Sequence, residues 1–258
     1  MKSLNTFADH APKIEWVRDF YENGDGFFEN HTLGPMQISM FKRFLTDAGL
    51  VEKNHVTDFM RLTSNIGWES AVSWGLILVQ LAYANPQIRW YVDHMPTGEC
   101  MPRSYIEDQL VEEGVSAKDA KSITKAFGRL CELPLGRALN FGNVEKKGRQ
   151  ILSLTREKTS LNDDRVVLYA LYRFAEACEG YYQFTLSRLL DDGIVSAGIT
   201  PSRLFGYDAD EMERIVFGLS AGYPDYFYAT FTHGSEKIQL REHKTSQDVF
   251  DLFANQER

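Results

Sequence analysis

The sequence predicts a mainly α-helical protein with small β-hairpins, arranged as tandem winged helix-turn-helix-like units. Three observations lead there. Apolar residues recur at helical spacing through most of the chain. Two runs of alternating apolar and polar residues, each broken by a Gly-containing turn, follow groups of helices and read as hairpins. Of the 258 residues, 43% are hydrophobic and 13% aromatic, enough to build the cores of two or three small domains. We expect an N-terminal helical, winged-helix-like domain (residues 1–100), a winged-helix domain (101–160) and a C-terminal winged-helix-like domain (161–258).

In the first segment, Ile14, Val17, Phe20 and Tyr21 mark one helical face that stops at Asn23-Gly24. After Leu33-Gly34-Pro35, the run Ile38, Phe41, Phe44, Leu45 marks a second, ending near Gly49 as a helix C-cap favours. Lys42 and Arg43 fall on its exposed side. Thr57 is placed to cap a short helix through Leu62. The helix from Trp68 to Tyr83 is apolar nearly all round and should be a buried spine. The longest strongly apolar run, Val72 to Ala84, is 13 residues, short of the roughly 20 that span a bilayer. Asn85-Pro86 breaks it and restarts a turn carrying Ile88, Trp90 and Tyr91.

The second segment carries the strongest signal. Ser104 to Glu113 forms a first helix, Gly114 a turn, and Ser116 the N-cap of a basic helix. Lys118, Lys121, Lys125 and Arg129 recur at spacings of three, four and four, so they share one face, while Ile123, Phe127 and Leu130 point elsewhere. Beyond Pro134, LNFGNV and QILSLT flank a polar tip that carries Lys146, Lys147 and Arg149. A cationic helix followed by a cationic hairpin can place one in a groove of double-stranded DNA and the other against its backbone. The chain as a whole has a net charge of -8, yet residues 118–158 hold ten Lys and Arg against four acids; -8 less +6 leaves about -14 elsewhere. Such polarity suits a local basic footprint and argues against indiscriminate polyanion binding. The same charges would also suit an ordinary solvated face.

The third segment repeats the plan. Val166 to Ala175 forms an apolar helix, Thr185–Leu190 and Pro201–Phe205 short ones, and Asp208–Ser220 a longer one whose first turn is acidic. Phe227–Phe231, a His233-Gly234-Ser235 turn and Lys237–Leu240 read as a second hairpin of mixed charge, better suited to packing on protein than on DNA.

There is no Walker loop, GxGxxG, GxSxG, or pyrophosphate-binding loop like that of ATP-pyrophosphatases. Glu145-Lys146-Lys147 supplies the acid-x-Lys element of a metal-dependent nuclease, but it reads as a solvated turn, and the Pro224-Asp225 pair follows it where such an enzyme needs its Asp upstream. Asp163-Asp164 and Asp191-Asp192 read as helix-start and turn residues. Cys100, Cys131 and Cys178 are odd in number and unpaired in spacing, and the six His residues form no HxxxH pair, so neither a disulfide framework nor a metal site is expected. No cofactor is expected either. The N-terminus lacks an apolar leader core, so a cytoplasmic location is expected.

Several runs resemble a known family. SAVSWGLILVQLAYANPQIRWYV (Ser70–Val92), GVSAKDAKSITKAFGRLCELPLG (Gly114–Gly136), the run from Arg165 to Gly206, GLSAGYPDYFYATFT and KTSQDVFDLF resemble the C-terminal, non-catalytic region of bacterial phosphoadenosine phosphosulfate (PAPS) reductase family proteins. FADHAPKIEW and LGPMQISMFKRFLTDAGL are similar to a bacterial domain of unknown function that accompanies DNA phosphorothioation and phage-defence genes. The resemblance implies no catalytic residue here, since that family's nucleotide loop and iron-sulfur cysteines are absent. It implies an accessory module working with a sulfur-transfer or ATP-pyrophosphatase enzyme in DNA modification or phage defence. On this reading Lys118, Lys121, Lys125, Arg129, Lys146, Lys147 and Arg149 contact DNA. An alternative is a protein scaffold that docks such an enzyme through Tyr181, Tyr182, Phe184, Tyr223, Tyr226, Phe227 and Tyr228. A third is an enzyme of unrecognised type.

Overall fold

The structure is a computed structural model that describes residues 3–190, 197–232 and 235–254. Two compact units make up the chain, Met1–Ser160 and Leu161–Arg258. Both are mainly helical with small antiparallel sheets of two or three strands. The segments before and after residue 100 lie in the same first unit.

The first unit opens with α1 (Ile14–Asn23), a 3-10 turn, α2 (Phe27–Asn30) and α3 (Pro35–Asp47). Then come a hairpin of β1 (Val51–Glu52) and β2 (His55–Val56), α4 (Asp58–Ile66), α5 (Ala71–Ala84) and α6 (Pro86–His94). The hairpin has no glycine signal. Its two turn residues, Lys53 and Asn54, both adopt positive φ (50° and 67°), the geometry of a type I′ turn. Thr57, Ser70 and Asn85 cap α4, α5 and α6 through their side-chain oxygens. Helix α5 lacks a polar face because it is the spine: Trp74, Leu76, Ile77, Leu78, Val79, Leu81 and Ala82 are all buried. Phe20, Phe27 and Phe41 pack edge-on at centroid distances of 5.5–6.3 Å, and Phe44 stacks between Phe41 and Trp74.

The same unit continues with β3 (Cys100–Pro102), α7 (Arg103–Glu112), α8 (Ala117–Leu130), α9 (Pro134–Arg137), β4 (Gly142–Lys147) and β5 (Gln150–Arg156). The strands form an antiparallel sheet in the order β3-β5-β4. Arg156 at the end of β5 is buried, yet its guanidinium donates to the carbonyls of Val92 (2.8 Å) and Met95 (3.1 Å) and lies 5.9 Å from the Phe141 ring centroid. The cation is thereby paired with backbone dipoles at the end of α6, as a buried charge requires.

The second unit runs α10 (Asp164–Ala177), β6 (Gln183–Phe184), α11 (Leu186–Leu190), α12 (Pro201–Phe205), α13 (Ala209–Gly222), β7 (Phe227–Thr232), β8 (Ser235–Leu240) and α14 (Ser246–Ala254). Its sheet has the order β6-β8-β7. Each unit thus contains the succession helix, short strand, helices, two-stranded hairpin, with the first strand of its three-stranded sheet beside the last. Asp163 caps α10: its carboxylate accepts from the Arg165 backbone N–H and pairs with the Arg165 guanidinium at 2.6 Å. Asp191-Asp192 and the His233-Gly234 turn lie outside the described residues. Among the described residues, no helix is long and apolar enough to cross a membrane.

Candidate nucleic-acid interface

Helix α8 starts where Ser116 accepts from the Asp119 backbone N–H (3.1 Å) and donates its hydroxyl to the Asp119 carboxylate (2.8 Å). These bonds, with a further one from Asn5, hold the Asp119 carboxyl below its ordinary range. The helix is packed on most sides. Ile123, Phe127 and Leu130 are fully buried, and the exposed residues are Ala117, Lys118, Lys121 and Lys125, with Asp119 and Arg129 half-buried. Its outward face is therefore a row of cations. Among the described residues, Lys118, Lys121 and Lys125 form no ion pair.

Two contacts hold α8 in place. On one side, Tyr91 of α6 donates its hydroxyl to the Ile123 carbonyl at 2.6 Å and accepts from the Gln87 amide at 2.6 Å. Gln87 in turn accepts from the backbone N–H of Thr6 at 3.1 Å. Burial pushes the Tyr91 phenol far above its ordinary range, so this network stays neutral. The N-terminal strand of chain also runs beside the helix: Asn5 donates to Asp119 (2.7 Å), Ser122 to Asp9 (3.1 Å), and Arg129 to the Asp9 carbonyl (2.6 Å). Arg129 is thus partly committed to structure.

On the other side, the β4–β5 hairpin lies directly against α8 at Gly128. A Cβ at that position would come within 3.0 Å of Ile151 and 3.5 Å of Val144, so glycine sets how close hairpin and helix approach. The register shifts between Glu145 and Lys146: Glu145 pairs with Ser153, whereas Lys146 pairs with Ile151. Leu152 is left without a partner and 38% exposed. This bulge turns Ile151 inward and puts Lys146 on the same face.

Between helix and hairpin opens a cleft of about 310 Å³. Five cations line it: Arg103 at the start of α7, Lys125 and Arg129 of α8, and Lys146 and Arg149 of the hairpin. Gly128 and Ile151 form its apolar floor. The lining carboxylate is Glu132, which holds Lys146 at 2.5 Å. Arg103 is paired with Glu107 at 2.5 Å, while Arg149 forms no ion pair among the described residues. A second cleft of about 350 Å³ shares Gly128, Glu132 and Lys146 with the first and extends to Arg137.

Of the seven residues singled out from the sequence, four (Lys125, Arg129, Lys146, Arg149) converge on the first cleft. Lys118 and Lys121 continue the row along the exposed face of α8, and Lys147 is exposed on the hairpin. Sequence reasoning passes over Arg103, which precedes the basic run by 15 residues and joins it only through the β3–β5 pairing that returns the start of α7 to the sheet.

No protein-family model matches the chain, and no curated protein matches it. Two solved structures do, titled "SspB crystal structure" and "Magnesium ion-bound SspB crystal structure". They align at TM-scores of 0.72 and 0.71 with 14% and 15% identity, covering 100% of this chain and 90% of each of those. This chain shares the SspB fold. The likeness extends over both units, so the arrangement of elements described above is one that solved proteins adopt.

Elsewhere the chemistry is structural. Among the described residues, no group of three or more His, Cys, Asp or Glu side chains is placed to hold a metal ion. Glu145 lies on strand β4 rather than on a turn, where its carboxylate accepts from the Ser153 hydroxyl at 2.8 Å. Cys100 is exposed, and burial pushes the Cys131 thiol well up. In the second unit, helix α13 presents Asp210, Glu213 and Arg214 where α8 presents lysines. Of the aromatics considered for docking a partner, Phe184 and Phe227 are buried, Tyr226 donates to the Asp248 carbonyl, and Tyr181 (59%) and Tyr228 (43%) are exposed.

Proposed function

We propose that this protein is a DNA-binding accessory module of a DNA-modification or phage-defence system, and that its first unit is a winged helix-turn-helix whose α8 and β4–β5 hairpin contact duplex DNA. One observation carries the reading: beyond Ala117 in its first turn, the side chains that α8 leaves exposed are lysines that form no ion pair among the described residues, and they lead into a cleft of five cations shared with the hairpin. A solvated helix face would ordinarily mix signs; a row of one sign beside a basic hairpin suits a phosphate backbone. The fold shared with the structures titled SspB extends over the whole chain. The resemblance to the C-terminal, non-catalytic region of PAPS reductase family proteins favours, as partner, a sulfur-transfer or ATP-pyrophosphatase enzyme that brings the chemistry this chain does not signal.

Binding of a labelled duplex as a function of salt tests this. Log affinity should fall linearly with log salt, by about 0.9 per phosphate contacted. Changing Lys118, Lys121 and Lys125 together to Gln should lower that slope by roughly 2 to 3 and weaken binding alike on unrelated sequences. An unchanged slope, or no binding of the natural chain at low salt, rejects the reading. In the second case, recovery of a sulfur-transfer enzyme on the immobilised protein would favour the scaffold alternative.

A further inference from the structure

We infer that the cleft between α8 and the hairpin is a seat for the terminal phosphate monoester of a DNA strand, in addition to the backbone contacts of the exposed helix face. The inference rests on the DNA-binding reading and deepens it. Three features separate the cleft from the lysine row. It is concave, with about 310 Å³ of space at the low end of small-ligand sites. Its cations come from three separate elements, so they converge on one position rather than follow a strand. And among the described residues three of them, Lys125, Arg129 and Arg149, form no ion pair, while Glu132 holds Lys146 and Glu107 holds Arg103.

Charge decides between ligands. A backbone diester carries a single negative charge, and the free lysines along α8 suffice for several such contacts. A phosphate monoester carries close to two charges at pH 7 and offers three strong acceptor oxygens. Arg149 and the terminal nitrogens of Arg103, whose Nε is held by Glu107, are suited to grip two of those oxygens, and Lys125 the third. The floor of Gly128 and Ile151 leaves an apolar ledge for the adjoining sugar.

The ligand's own titration gives the seat a signature. The second proton of a monoester leaves near pH 6. The charged groups at the seat are Arg103 from α7 with its partner Glu107, Lys125 and Arg129 from α8, Glu132 just beyond α8, and Lys146 and Arg149 from the hairpin. Preference for a phosphorylated end should therefore rise with pH through about 6.

The test compares three versions of one short labelled duplex, with a 5′-phosphate, a 3′-phosphate or hydroxyl ends, at pH 5.5 and 7.5, alongside calorimetric titration with inorganic pyrophosphate. The full chain should bind one phosphorylated duplex about tenfold more tightly than the hydroxyl-ended duplex at pH 7.5 and less selectively at pH 5.5. Arg149→Gln, at an exposed turn where folding is not at risk, should bring the ratio of phosphorylated-end to hydroxyl-end affinity down to about one, whatever it costs on the hydroxyl-ended duplex. Arg103→Gln should do the same, whereas Lys118→Gln should weaken both duplexes alike and keep the ratio. If hydroxyl-ended duplex binds but no phosphorylated end is preferred, the seat is wrong and the DNA reading stands. If no duplex binds but pyrophosphate does, and Arg149→Gln abolishes it, the seat stands for a free phosphate ligand and the DNA reading falls. If neither binds, both fall.

Discussion

Tyr91 shows at the scale of one residue how the exposed lysines come to be presented. Its hydroxyl takes a hydrogen from Gln87 and gives one to the carbonyl of Ile123 in α8, all within the core. Removing it takes a short hydrogen bond from a buried amide and another from a buried carbonyl, which keep only their own longer contact of 3.4 Å, a loss of about 1–3 kcal/mol. Tyr91→Phe should show that loss in urea unfolding; a loss below about 0.5 kcal/mol would mean the network is not what fixes α8. A second residue makes stability depend on pH. The Asp119 carboxyl is held below its ordinary range by Ser116 first and Asn5 second. A carboxyl with a lowered folded value stabilises above the unfolded value, about 3.9, and loses that contribution as pH falls through the folded value. Unfolding midpoints should therefore drop as the pH falls below the ordinary carboxylate range, and Asp119→Asn should flatten the drop. Ser116→Ala, which removes both bonds from the cap, should cost about 1 kcal/mol at neutral pH.

At the scale of an element, the β4–β5 hairpin is placed by two glycines that let it sit against α8. Gly128 meets it from the helix, and Gly142 begins it. A Cβ on residue 142 would stand 2.7 Å from the Thr155 carbonyl oxygen and 3.0 Å from Phe127. Because the first is backbone of the paired strand, something must shift, and Gly142→Ala should destabilise by about 1–3 kcal/mol and weaken binding at the cleft. Unfolding and the phosphorylated-end titration together check this; a neutral substitution would show that the hairpin can slide on the helix. Much of this element is legible in the sequence. The turn at Gly148, the helical period of Ile123, Phe127 and Leu130 and the Ser116 cap are local signals. The bulge is not: strict alternation turns Leu152 and Leu154 inward together, whereas the register gives Ile151 and Leu154. Nor is the β1–β2 hairpin, where Lys53 and Asn54 take left-handed conformations without a glycine to announce them. Arg103 escapes for a different reason, since its place at the cleft depends on a strand pairing more than 50 residues apart, and no local pattern encodes that.

At the scale of the whole molecule, the chain joins two units, each with its own core, and the basic row and cleft belong to the first. The second unit has Leu171 and Tyr172 fully buried in α10 and an acidic first turn on α13. Two separate cores predict that heating will not follow a two-state course. Leu171→Ala removes fully buried methyl groups, which costs about 2–5 kcal/mol, and should lower one calorimetric transition and thereby assign it to Leu161–Arg258. Duplex DNA should act on the other. A ligand that binds only the folded form of the first unit at 100 times its dissociation constant stabilises that unit by about 2.7 kcal/mol. The transition left unmoved by Leu171→Ala should therefore rise with added duplex, and should fall back as salt releases the DNA. If duplex raises the transition that Leu171→Ala lowers, the DNA contact lies on the second unit, and the lysines of α8 are a solvated face after all.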